Sequence, residues 1–78
     1  MPRLKKEDRY DRLKKMIRGE MADQNVSIEK LGRYTGYHRN TMSERLQHPE
    51  TLTLYEISQI AIALDIPAED IRSAIPIR

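Results

Sequence analysis

Basic side chains crowd the start of this 78-residue chain. Arg3, Lys5, Lys6, Arg9, Arg12, Lys14, Lys15 and Arg18 face only Glu7, Asp8 and Asp11, a net +5 over the first 18 residues. From Pro49 to Arg78 the balance is −3, although the whole chain is only +2. Such polarity suits a positive face meeting a polyanion, and it suits a solvated helix equally well. Other residues could do different chemistry. His38 and His48 with Glu44 and Glu50 carry metal-ligating groups, but their spacing puts them at opposite ends of one helix, with no cysteine to assist, so no metal is expected. Glu69 and Asp70 are adjacent rather than paired across a cleft, and no serine, histidine and aspartate arrangement appears, so catalysis is not expected either. Tyr10, Tyr34, Tyr37 and Tyr55, the chain's only aromatics, could stack bases. Spread over separate segments, they read better as core edges with hydroxyls at the surface. Met16, Met21 and Met42 read as core filler.

Length limits what can position these groups. A chain this short hides roughly 60–65% of its unfolded surface in a single core, which leaves no room for a deep enclosed cavity. The absence of cysteine excludes a disulfide framework and a thiolate zinc site. No segment approaches the apolar length of a membrane span, and the basic start leads into more charge instead of a signal core. The expectation is one domain over residues 1–78, working in the cytoplasm without membrane contact, cofactor or small-molecule ligand. Its core would run from about 7 to 74, with a basic arm at 1–6 and an extended tail at 75–78.

The spacing of apolar residues predicts five helices and no sheet. Tyr10, Leu13, Ile17 and Met21 recur every three or four residues, giving an amphipathic first helix from about Glu7 to Asp23 that Gly19 weakens without ending. Ser27 can cap a second helix burying Ile28, Leu31 and Thr35, and Gly36 can supply the positive φ that stops it. A third helix spans about Arg39 to Gln47, burying Met42 and Leu46, and Pro49 closes it. Thr53 and Glu56 fit a capping box at the head of a fourth helix whose stripe is Leu54, Ile57, Ile60, Ala61 and Leu64. Pro67 suits the first turn of a fifth, Ala68 to Ala74, where Glu69 and Asp70 meet the positive end of the helix dipole.

Two short helices joined at Thr35, Gly36 and Tyr37, with small Gly32 where they must approach, form a helix-turn-helix pattern. From about Ser27 to Ile71 the sequence resembles the lambda Cro and repressor-like helix-turn-helix family, also called the Xre family. The residues that carry the resemblance are Leu31, Gly32, Thr35, Gly36, Tyr37, Arg39, Thr41, Met42 and Leu46. It continues through Leu52, Leu54, Ile57, Ile60, Ala61, Leu64 and Ile66 to Pro67, Asp70 and Ile71.

The resemblance implies a compact all-α, five-helix DNA-binding domain whose third helix enters the major groove. It makes His38, Arg39, Asn40, Ser43, Glu44 and Gln47 the base-reading positions. Arg39 suits guanine O6 and N7, Asn40 or Gln47 suits adenine, and Glu44 can accept from cytosine N4. The sugar-phosphate candidates are Ser27, Lys30, Arg33, Tyr34, Arg45, His48 and Tyr55, which add salt-dependent affinity without reading sequence.

Three departures from the family's pattern stand out. Ile28 replaces the glutamine that often begins the second helix and bonds a phosphate, so Ser27 or its backbone amide must stand in. His38 replaces the usual serine cap of the third helix, a loss on the order of 1 kcal/mol to be offset by groove contacts or by Tyr34 packing on Tyr37. Arg45 occupies a frequently aliphatic position, and Leu46 takes over its burial. The function expected is a sequence-specific regulator that binds double-stranded DNA, repressor-like and of phage or bacterial type. The alternative is a helix-turn-helix interaction module, such as an antitoxin or adaptor, with a protein partner. A homodimer is expected because one third helix reads a short half-site, with Ile71, Ile75 and Ile77 as the contact unless they fold onto their own core.

Overall fold

A computed structural model describes residues 9–75. The expected arm at 1–6, the Glu7–Asp8 start of the first helix, and Pro76, Ile77 and Arg78 lie outside the described residues. Within them stand five α-helices: α1 (Asp11–Asp23), α2 (Ile28–Thr35), α3 (Arg39–Gln47), α4 (Leu54–Leu64) and α5 (Ala68–Ala74). No strand occurs among the described residues. One element was not anticipated: Pro49 does more than close α3, because it opens a 3-10 turn over Pro49–Thr51.

Local chemistry sets most of the boundaries. Ser27 Oγ accepts the Lys30 amide at 3.1 Å and starts α2, while Gly36, at φ +82°, ends it. There the Tyr37 N–H returns to the Gly32 carbonyl at 2.8 Å, closing the last turn. Thr53 and Glu56 form the full capping box at the head of α4. Asn25 and Asp65, both at φ 56°, turn the chain after α1 and α4, a conformation that short polar side chains tolerate. The Gln24 side chain adds a cross-brace, donating to the Leu64 carbonyl at 2.6 Å.

The core is aliphatic and draws on every helix. Leu13, Ile17 and Met21 of α1 meet Leu31 of α2, Met42 and Leu46 of α3, Ile57, Ile60 and Leu64 of α4, and Ile71 and Ala74 of α5. Ile66, in the loop before α5, joins them. Tyr10 and Tyr37 pack at the margin as core edges, but Tyr34 and Tyr55, on outer faces of their helices, are 55% and 63% exposed and do not. One expected member is missing from this cluster. Leu54 is 80% exposed, because it sits in the first turn of α4, beyond the edge of the packed layer. Ile28 and Ala61 are only partly buried.

Gly19 lies mid-helix in α1, exposed, and a Cβ built there meets nothing within 4 Å. Gly19→Ala is therefore expected to raise stability by about 0.5–1 kcal/mol, since it removes unfolded-state freedom and adds helix propensity without a clash. A urea melt checks it. An unchanged or lower midpoint would show that the glycine serves some other need.

Candidate nucleic-acid interface

α3 has two unlike faces. Met42 and Leu46, each 1% exposed, fix one side into the core. At about 100° per residue, Arg39, Ser43, Gln47, Asn40 and Glu44 follow one another around roughly 140°, an arc that starts beside Leu46 and runs round to the side opposite the buried pair. Four of these five are exposed and Ser43 is half-buried. The arc thus offers a planar cation, two carboxamides, a hydroxyl and a carboxylate from one straight element. Those are the groups that can meet the donors and acceptors of base edges.

His38 sits just before this arc with a structural task. Its Nδ1 accepts the Asn40 amide at 3.2 Å, so the residue replacing serine supplies the cap itself. The expected loss of capping does not occur. That bond leaves Nε2 as the ring atom for a base contact.

The turn sets how α3 leaves α2. Gly32 is buried, and a Cβ on it would lie 2.6 Å from the Tyr37 carbonyl oxygen. Beside the turn, Arg39 shares a shallow cleft with Ser27, Ile28 and Glu29. The first amides of a helix have no intrahelical partner, so the head of α2 carries donors suited to a phosphate, while the Glu29 carboxylate in the same cleft is held by Arg33.

The other expected backbone contacts divide into two groups. Lys30, Arg33, Tyr34, His48 and Tyr55 are exposed. Lys30 Nζ lies 6.0 Å from the Tyr34 ring centroid, and Arg33 pairs with Glu29 at 2.8 Å one turn earlier on α2. His48 Nδ1 is 3.5 Å from Glu50, an ion pair only while the ring is protonated. Arg45 is placed differently. Its Nη1 donates to the Thr51 carbonyl at 3.1 Å, and its Nε lies 3.6 Å from the buried Glu56 carboxylate.

Glu56 gathers several donors. Burial pushes its pKa up, but the Thr53 amide and hydroxyl, the adjacent Tyr37 hydroxyl and the Arg45 charge outweigh that and hold it below the ordinary carboxylate value. Burial and the neighbouring carboxylate raise the Tyr37 hydroxyl. The sequence signalled the capping box, but nothing in it paired Arg45 with Glu56. Nor did it single out Lys14 on α1, whose ammonium donates to the Gln47 carbonyl at 3.4 Å and so meets the negative end of α3.

Comparison with curated proteins and with solved structures returned no match. The family model for the Cro/C1-type HTH DNA-binding domain matches residues 16–76, most of the chain and all of the helix-turn-helix. Together with the capped pair α2 and α3 and the polar arc of α3, that match shows that the chain belongs to the Cro/C1-type helix-turn-helix DNA-binding domains.

Proposed function

We propose that this DNA-binding regulator is a sequence-specific, repressor-like protein of phage or bacterial type, acting in the cytoplasm, that reads the major groove with α3. The observation that carries this reading is the arc of Arg39, Asn40, Ser43, Glu44 and Gln47, which stays largely exposed while Met42 and Leu46 anchor the helix in the core. Arg39 forks onto guanine, Asn40 or Gln47 pairs with adenine, and His38 reaches a base edge through Nε2. Ser27 and the amides it heads, with Lys30, Arg33, Tyr34, His48 and Tyr55, hold the sugar-phosphate backbone.

Two copies act together in this reading, their α3 helices about 34 Å apart on successive turns. Ile71 is buried in its own core and Ile75 packs against it, so the contact between copies falls on what remains open beside them. That is a groove between α4 and α5 lined by Leu54, Ser58, Ala61, Ala68 and Ile75. A leucine left in water at the rim of an apolar groove suits a second copy.

Selection of bound duplexes from a random pool, followed by a salt titration on the winner, tests the reading. An enriched palindrome is expected, with log affinity falling linearly in log salt by about 0.9 for each phosphate neutralised. Arg39→Ala should relax sequence preference, whereas Arg33→Ala should weaken all duplexes alike. If no duplex binds at low salt, DNA binding gives way to a protein-partner role as antitoxin or adaptor.

A further inference from the structure

Two arginines on the DNA-binding half of the molecule are paired with carboxylates, and the two pairs differ in kind. Arg33 and Glu29 are 74% and 56% exposed at their side chains and follow one another on one helix. Such a pair is weak and opens readily to a phosphate. Arg45 and Glu56 are 35% and 6% exposed and join different elements. Releasing Arg45 would leave a buried carboxylate without its cation, which is far more costly.

We propose that Arg45 serves DNA recognition as a positioning residue, locking α3 to the head of α4 through Glu56, and that it does not contact a phosphate. This rests on the DNA-binding reading above. Glu56 is the hub. One of its oxygens accepts the Thr53 amide at 2.9 Å, which fixes the carboxylate to the first turn of α4. The other faces Arg45 Nε at 3.6 Å, and Arg45 Nη1 also holds the Thr51 carbonyl at 3.1 Å. Met42 and Leu46 seat the buried side of α3 in the core, where close packing holds it in place. The hydrogen bond from Arg45 to Thr51 and its ion pair with Glu56, off to the flank of that apolar pair, add a second restraint on roll. Roll decides which bases Arg39, Asn40 and Gln47 face.

The test compares wild-type chain with Arg45→Lys, Arg45→Met, Glu56→Gln and the Arg45→Met/Glu56→Gln double variant. Each is titrated with the selected duplex and a scrambled duplex over a range of salt, below its own melting temperature as judged by circular dichroism. Lysine keeps the charge for a phosphate but not the planar fork that spans Glu56 and Thr51. Glutamine keeps an acceptor for the Thr53 amide while removing the charge.

On this proposal all the variants lose about tenfold in affinity for the selected duplex, keep their affinity for the scrambled one, and keep the wild-type salt slope. The double variant loses no more than either single change, as coupled partners require. The Glu56→Gln result is the sharpest, because removing a negative charge alone would tighten DNA binding. A salt slope shallower by about 0.9 in Arg45→Met, with both duplexes weakened and Arg45→Lys restoring them, would identify a phosphate contact and overturn the proposal. Unchanged discrimination in folded variants would overturn it too. If wild-type chain binds neither duplex, it is the DNA-binding reading that fails.

Discussion

Leu46→Ala is expected to cost about 2–5 kcal/mol of stability, while Leu54→Ala should stay within about 0.5 kcal/mol of wild type. Both leucines fall on apolar stripes of their helices. Only Leu46 is inside, at 1% exposure, where truncation removes contacts with the packed core and leaves a cavity that its neighbours fill only in part. Leu54, at 80%, gives up surface that is already in water. A domain of this size holds about 4–12 kcal/mol in all, so the Leu46 variant should lose a large share of its folded population near physiological temperature. Urea melts of the two variants side by side, at a concentration where the chain is monomeric, provide the check. Equal losses at the two positions would mean that α4 does not begin where it is placed.

That contrast also shows which parts of the architecture can be read from sequence. A heptad-like stripe identifies a helix and its inner face, and it served for Leu13, Ile17, Met21, Met42, Leu46, Ile57, Ile60 and Leu64, all of them buried. The stripe says nothing about where the neighbouring layer ends. Leu54 keeps the same phase as Ile57 and Leu64 but belongs to a turn that overhangs the core, a fact of tertiary geometry. Caps were legible for the same reason that stripes were. Ser27 to Lys30 and Thr53 to Glu56 are bonds across three residues, set by chain geometry alone.

Contacts between distant residues left no such trace. Lys14 reaches the end of α3 across 33 residues, and Gln24 reaches the end of α4 across 40. Nothing in the sequence joined Arg45 to Glu56, because the two lie on different helices. His38 shows the reverse case. Its place at the head of α3 is legible, but serine-type capping is expected to be lost there, whereas Nδ1 accepts the Asn40 amide and supplies the cap. At the interface, the positions named for base contact lie on α3 or just before it, and those named for phosphate contact lie on α2 or just before it, at the end of α3 and on α4. The division of labour among them depends on which already have partners.

Gly32→Val is expected to be the most damaging change at the turn, costing about 1–3 kcal/mol of stability and weakening duplex binding beyond what the unfolded fraction explains. A Cβ at this position would stand 2.6 Å from the Tyr37 carbonyl oxygen, closer than nonbonded atoms tolerate. The obstacle is backbone, so no rotamer change relieves it. Valine adds two further methyl groups and gains little helix propensity in return. The chain can accommodate them only by moving Tyr37 away from Gly32, which stretches the 2.8 Å bond that closes α2 and shifts the residues leading into Arg39. Relief of strain therefore swings α3 itself. Affinity for a selected duplex, measured at a temperature where circular dichroism shows the variant folded, should fall while binding to a scrambled duplex changes little. Wild-type discrimination in folded Gly32→Val would mean that the two helices can separate without turning the arc of Arg39, Asn40 and Gln47, and would remove the link drawn between the glycine and recognition.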